Sequence, residues 1–471
     1  MRGLSAKECI GGFRLVCRTI LIGASSAICF WFFVSLGAAF AQAQPTSGDV
    51  WSQATLSGDW GGVRTDFERR GITFSLSYTV ELLSNLRGGI RQGSVANDLF
   101  QPQVDVDAEK LWGWQGAKFR GSGIVTHGPG ITPGFVGNLM TVSNIEAGPV
   151  GRVFELWYAQ SFFNDRWTTR IGLMRGEDFM SSDTASSAFM NNTFGWNTLF
   201  GTALPGGGPD FPLSAPGAQV RVKPATDVYL QAAVFSGDPS GGDGSNRGGV
   251  LPTGTVFSFS GGAFFIGEMA YTPNQEKDAK GLPGAYKLGA WYHTSSRFGD
   301  QRFDTFGLSL ADPLSSEPRE HAGNFGIYGV VDQMFYRVPG TEDQGLSGFM
   351  RVTGSPADRN LVNFYLDAGL VYTGLIPGRP ADKLGLGVAY ARIGDHARNL
   401  DRDTAFFTAS PYPTRSAEAL IEATYRAKLA PWWIVQGDVQ YVVRPSGGVL
   451  NDDGSARKNA WVVGLRSAVS F

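Results

Sequence analysis

Arg120, Glu155, Arg170, Glu422, Arg426, Asp438, Gln440, Arg444 and Arg466 recur on one phase of segments in which apolar and polar residues alternate. With a period of two, such residues share the face opposite the apolar one. Guanidinium and carboxylate groups opposed across water create a transverse field and supply donors and acceptors without any bond-making chemistry. Small neutral carbohydrates, rich in hydroxyls and carrying apolar ring faces, suit a passage of Arg, Glu, Asp and Gln with Trp or Phe nearby. A simple sieve would carry the same charges, so the pattern leaves a sugar path and an unselective one open.

No reactive constellation competes with that reading. The four histidines, His127, His293, His321 and His396, have neither i,i+2 nor i,i+4 spacing, and read as isolated loop or wall residues. There is no G-x-S-x-G elbow and no phosphate-binding Gly-rich loop. Ser295 beside His293 is the nearest approach to a hydrolase pair. The run Asp238-Pro239-Ser240-Gly241-Gly242-Asp243-Gly244-Ser245-Asn246 is rich in oxygen ligands, but it lacks the twelve-residue calcium-loop spacing and its terminal Glu. Asn191-Asn192-Thr193 matches a glycosylation acceptor by letter alone. The expectation is a non-enzyme with no metal and no cofactor.

The elements that must position these charges are strands. Ile72, Phe74, Leu76, Tyr78 and Val80 alternate with Thr73, Ser75, Ser77, Thr79 and Glu81. Segments 418–429 and 433–444 alternate equally well, and only Ala430, Pro431 and Trp432 part them, as in a hairpin. A small packed core has no room for their polar face, whereas a water-filled interior does. The last residues repeat the theme: Trp461, Val463, Leu465, Val469 and Phe471 on one face, Val462, Gly464, Arg466, Ala468 and Ser470 on the other. Taken alone, that strand would also serve as an edge of a soluble β protein.

Eighteen candidate strands lie between residues 72 and 471, the short ones at 255–260 and 303–310 among them. An all-β, antiparallel transmembrane barrel of 16 strands (16–18) follows, because closure leaves no unpaired edge in lipid. Its connections alternate between short turns and long loops, notably 127–152, 176–218, 236–254 and 393–417, and a long loop can fold inward as a constriction. Before the first strand, residues 63–70 are expected to form a short helix stopped by Gly71, able to plug, brace or flank a pore mouth.

The N-terminus sets the compartment. Arg2, Lys7, Arg14 and Arg18 precede an apolar run from residue 20 to 40, and Ala41-Gln42-Ala43 follows. That order predicts a signal peptide over 1–43 with Gln44 as the first mature residue, an uncleaved anchor being the alternative. A periplasmic segment at 44–71 and a barrel at 72–471 complete the organisation. Cys9, Cys17 and Cys29 all lie in the leader, so an exported mature chain would rely on its backbone ladder rather than disulfides. Charges of both signs are mixed, 40 basic against 42 acidic in the whole chain, and no basic block suits a nucleic acid. With 64 Gly and 33 Phe, the composition fits many strands, tight turns and interfacial rings.

Several stretches carry a resemblance to a known family: Leu56-Ser57-Gly58-Asp59-Trp60-Gly61-Gly62-Val63-Arg64, Arg170-Ile171-Gly172-Leu173 leading to Asp178-Phe179, and Phe189-Met190-Asn191-Asn192-Thr193-Phe194. Further on come Gly369-Leu370-Val371-Tyr372-Thr373-Gly374, Leu384-Gly385-Leu386-Gly387, Gly437-Asp438-Val439-Gln440-Tyr441-Val442 and the terminal Phe471. Together they resemble the carbohydrate-selective porins, OprB, of Gram-negative outer membranes. The resemblance implies sixteen strands, both termini on the periplasmic side, a narrow constriction of charged and aromatic residues, and facilitated diffusion of glucose and related monosaccharides or polyols. Next to the family's N-terminal motif and first strand, Arg64, Glu81 and Arg87 become channel candidates. Contacts with outer-membrane lipid and lipopolysaccharide are implied, and the protein is either a monomer or a homotrimer. A general or anion-preferring pore, a barrel hydrolase and a secreted polysaccharide-binding protein remain as alternatives.

Overall fold

The computed structural model describes residues 49–471 apart from 241–252, 256, 277–278 and 296; the expected signal peptide and most of the 238–246 run lie outside the described residues. Sixteen antiparallel strands close into one barrel. They are β1 (Ile72–Gly89), β2 (Gly93–Asp107), β3 (Ala117–His127), β4 (Val150–Phe162), β5 (Trp167–Met174), β6 (Ala215–Ala225), β7 (Val228–Ser236), β8 (Ala263–Tyr271) and β9 (Gly284–His293). After an accessory hairpin of β10 (Phe298–Asp304) and β11 (Pro318–His321), the wall resumes with β12 (Asn324–Arg337), β13 (Gly345–Gly354) and β14 (Val362–Thr373). It ends with β15 (Lys383–Ile393), β16 (Ala417–Ala430), β17 (Trp433–Val443) and β18 (Lys458–Ser470), and β18 pairs back onto β1.

Sixteen rather than eighteen strands reflects two segments drawn into loops. The described residues of 255–260 form no strand, and 303–310 contributes only the end of the accessory hairpin. Both carry a local alternation with no neighbour in the wall, and a strand forms only where a ladder exists to take its N–H and C=O groups.

The outer face is apolar: Leu82, Leu156, Ile171, Leu288, Ile327, Leu386 and Leu465 all stand exposed. No solvent drive could leave them there in water, whereas a lipid environment accepts them. Trp51, Trp432 and Trp433 stack at the rim where the chain ends, with 5.9 Å between the Trp51 and Trp432 rings and between Trp432 and Trp433. Such amphipathic rings suit the depth of the lipid headgroups.

At that rim the helix α1 (Val63–Arg69) braces the termini and does not plug the lumen. The amide of Leu56 donates to Ser470 O at 2.8 Å, the Trp432 indole donates to Val50 O at 2.8 Å, and Arg64 reaches the main chain of Phe471.

The packed core lies inside the barrel. Two long loops, 128–149 and 175–214, fold inward, the second carrying the short helices α2 (Asp183–Ser186) and α3 (Thr198–Ala203). Phe189 and Phe194 pack ring to ring at 4.5 Å and meet Phe349 of the wall at 5.7 and 5.9 Å. Gly387 makes this possible: a Cβ there would sit 2.8 Å from both Phe189 and Phe194 ring atoms. The Leu384-Gly385-Leu386-Gly387 stretch thus puts leucines toward lipid and bare backbone toward the loop.

Candidate functional site

Wall side chains that point inward fall into two populations. The first is dry and holds the loops. Glu418 accepts from the amides of Leu139 and Met140, both at 2.8 Å, and from Ser446 N at 2.6 Å. Glu422, fully buried, accepts from Met190 N at 2.6 Å and Asn191 N at 3.1 Å. Gln440 accepts from Asn191 Nδ2 at 2.9 Å and donates to Val142 O and Asp438 Oδ1, each at 2.9 Å. Arg351 pairs with Asp367 and donates to Thr193 O and Gly195 O at 2.9 and 2.8 Å. Backbone groups of loops placed inside a barrel lack strand partners, and these side chains supply them.

Several of the residues that the sequence marks as channel candidates therefore sit away from water. Glu81 is fully buried between Arg466, whose Nε donates to it at 2.6 Å, and Ser143, whose hydroxyl donates at 2.6 Å. Glu422, Asp438 and Gln440 are buried in the loop anchorage. Arg64 lies outside the lumen, in the terminal brace. Arg87 is turned outward: a bulge between Asn85 and Arg87 places it opposite Trp461, on the outer face near the loop end of the barrel. Arg426 faces inward but belongs to neither the anchorage nor the cluster described next.

The second population borders the open lumen: Arg120 and Arg170 are half-buried, and Glu155 is buried beside them. Neighbouring strands bring them together: Asp105 on β2 is opposite Arg120 on β3, Arg120 is opposite Trp157 on β4, and Ala159 on β4 is opposite Arg170 on β5. Arg120 Nε donates to Asp105 Oδ1 at 2.6 Å, and Arg170 Nη1 donates to Asp178 Oδ2 at 2.7 Å. The Trp157 ring lies between them in position, 5.1 Å from Arg120 Cζ and 4.6 Å from Arg170 Cζ, and its Nε1 donates to Glu155 Oε1 at 3.2 Å. A guanidinium over an indole face is both attracted and restrained. Gly172, opposite Trp157 with φ of 141°, keeps the wall clear: a Cβ there would lie 2.3 Å from Leu156 O.

Glu155 Oε2 accepts no hydrogen bond, although Arg175 Nε and Arg120 Nη1 stand 3.7 and 4.0 Å away. It lines a cavity of about 450 Å³ with Arg120, Arg170, Arg175, Asp178 and Phe194. Arg175, Asp105 and Trp157 are not among the residues that the sequence singles out, and Asp178 stands out there only within the stretch that carries the family resemblance, not as a channel candidate. Trp157 could have been found, since it shares its strand phase with Glu155; Asp178 and Arg175 lie in loop 175–214, where no period exists to read.

Comparison with known proteins agrees with this architecture. The family model for the carbohydrate-selective porin, OprB family, matches residues 91–471. Porin B of Pseudomonas aeruginosa is 27% identical over 443 residues, covering 88% of this chain and 91% of the relative. The putative porin QuiX of Acinetobacter baylyi is 25% identical over 459 residues, covering 90% and 95%. A high-pH structure of Pseudomonas putida OprB superposes with a TM-score of 0.80 at 25% identity, over 90% of this chain and all of that one. The chain belongs to the carbohydrate-selective porin, OprB family, and is an outer-membrane β-barrel channel of Gram-negative bacteria rather than an enzyme.

Proposed function

We propose that this porin prefers monosaccharides such as glucose, and related sugars or polyols, over other solutes of the same size. The observation that carries this reading is Glu155 Oε2, a buried carboxylate oxygen without a hydrogen bond, beside two guanidinium groups in the wall of a cavity of about 450 Å³ from which a solute would approach it. A sugar hydroxyl can donate to that oxygen while its own lone pairs accept from Arg120 or Arg175, which satisfies both sides at once. A zwitterionic amino acid would have to place a net charge against each sign in turn and be held too firmly to leave. Facilitated diffusion through such a path needs no cofactor and no energy source.

Swelling of liposomes containing the detergent-purified protein tests the reading. Faster swelling in glucose than in a size-matched amino acid is the expected result. Rates that follow size alone would reduce the channel to an unselective pore.

A further inference from the structure

Residues 180–184 of loop 175–214 are pinned by three charged side chains on neighbouring strands. Glu268 on β8 accepts from Met180 N at 2.7 Å, and Lys287 on β9 donates to Ser181 O and Oγ at 2.8 Å each. Asp332 on β12 accepts from Ser182 Oγ at 2.6 Å and Thr184 N at 2.9 Å. The pinned turn parts two cavities. Ser181 borders both; Ser182, Ala185 and Ser186 face the one that Glu155 lines, while Asp183, Thr184 and Ser187 face a second, of about 610 Å³. Thr226, Pro283 and Thr373 place this second cavity beside the short turns, at the end of the barrel where both termini lie.

The second cavity carries charges of both signs. Lys287 and Asp332 are committed to the turn, Arg221 donates to Gln231 Oε1 at 2.6 and 2.9 Å, and Glu342 has an interaction of its own. The other four are uncommitted: among the described residues, the side chains of Asp183, Asp343, Lys223 and Lys383 make no hydrogen bond and no ion pair. Asp183 on the loop and Lys383 on the wall feel each other's charge across the space. The hydroxyls of Thr226 and Thr373 stand in the same wall, likewise without a hydrogen bond.

A wall of one sign would gather ions. Here an ion of either sign meets like charge along with opposite charge. A neutral polyhydroxylated solute can instead donate to a carboxylate and accept from an ammonium with the same set of hydroxyls. We propose that Asp183 and Lys383 form a second station for neutral polyhydroxylated solutes, so that a monosaccharide moves in two steps, from Glu155 past Ser181 to Asp183 and Lys383. The proposal rests on the sugar reading for Glu155 and extends it to the far side of turn 180–184.

The test is the reduction of ion current by glucose in planar bilayers holding single channels of the whole protein. The native chain is compared with Asp183→Asn/Lys383→Gln, which removes one charge of each sign, and with the charge-preserving Asp183→Glu/Lys383→Arg. The glucose concentration for half-maximal reduction rises about tenfold in the Asn/Gln variant, the loss of charge-assisted hydrogen bonds being of that order. The charge-preserving variant stays close to the native value. A native value in the Asn/Gln variant, or an equal rise in the charge-preserving one, overturns the second station. Either result leaves the Glu155 reading standing if Glu155→Gln still raises the concentration. A native channel whose current glucose reduces no more than a size-matched amino acid does overturns the sugar reading, and the station with it.

Discussion

Arg64 Nη2 donates to the main-chain oxygen of Phe471, the last residue, at 2.7 Å across 407 positions of sequence. The same guanidinium donates to Phe74 O at 2.9 Å, to Thr55 Oγ1 at 2.6 Å and to Gly58 O at 3.3 Å, and it lies 4.9 Å from the Trp60 ring. One side chain thus ties the residues before the barrel, the first strand and the last strand together at the seam where the barrel closes.

Arg64→Met should weaken that seam without touching the lumen. Hydrogen bonds to a charged donor contribute roughly 1.5–3 kcal/mol each, so losing several of them costs on the order of 3–5 kcal/mol after partial rehydration at the rim. Unfolding of the purified protein by guanidinium, followed by tryptophan fluorescence, should show a clearly lower midpoint. Glucose swelling per folded channel should be unchanged. An altered swelling rate would put Arg64 back in the solute path.

Glu422 gives the opposite expectation: a modest change in the barrel and a large one in the pore. It holds loop 175–214 through two amides, and Glu422→Leu leaves those amides buried without partners, at about 1–3 kcal/mol apiece. The strand itself keeps its ladder. Single-channel recording should find a higher conductance with frequent fluctuations, as the loop leaves the wall, and a smaller preference for glucose. Conductance identical to that of the native channel would mean that the loop is held elsewhere.

Glu422 also marks what the sequence could and could not tell. Its phase within β16 is legible, because period two separates Ile421 and Ala423 from Glu422 whatever the rest of the chain does. Its role is not. Whether an inward carboxylate meets water or a loop backbone depends on where residues 190 and 191 arrive, more than two hundred positions earlier, and no local pattern encodes that contact. The same limit applies to His321 and His396, isolated in the sequence yet sharing one carboxylate, Asp300, in the fold. Arg87 failed for a more local reason. A bulge adds one residue and reverses every facing beyond it, and nothing in Asn85-Leu86-Arg87 announces the bulge. The barrel itself was readable because lipid demands a ladder with no free edge, a demand that every strand repeats.

Trp157 holds the two half-buried arginines in place, so its removal should act on selectivity before it acts on stability. Trp157→Leu keeps an apolar group of the right phase but removes both cation–aromatic contacts and the hydrogen bond to Glu155 Oε1. Each cation–aromatic contact contributes about 0.5–1 kcal/mol where water reaches it. The ratio of glucose to amino-acid swelling should fall about threefold to tenfold, with a native-like unfolding midpoint. Glu155→Gln should lower the same ratio, since an amide offers a weaker acceptor to a sugar hydroxyl. If Trp157→Leu shifts conductance for every solute equally, the indole shapes the pore without selecting.

The accessory hairpin is fastened by charges at the loop end of the barrel, and the fastening should depend on pH in a stated direction. Asp300 on β10 accepts from His321 Nε2 at 2.9 Å and meets His396 Nδ1 at 3.0 Å, the latter on α4 (Asp395–Phe407). Arg302 pairs with Asp403 of the same helix at 2.8 Å, while Asp358, Arg359 and Asp395 complete the charged surroundings. Burial alone would raise the Asp300 carboxyl, but the two imidazoles and the amides of Phe303 and Arg302 pull it from 3.8 down to about 2. A carboxyl lowered in the folded state stabilises it fully above its unfolded value and loses that contribution as pH falls through the folded value. Docking of the hairpin should therefore hold above about pH 4 and loosen toward pH 2. Asp300→Asn should loosen it at neutral pH, raising amide exchange across 298–304 about tenfold, since the loss of a charge-assisted hydrogen bond is of that order. Exchange in the rest of the wall should stay as it was. Unchanged exchange at 298–304 in Asp300→Asn would assign the docking to Arg302 and Asp403 instead, and the Arg302→Gln variant would then show the loss.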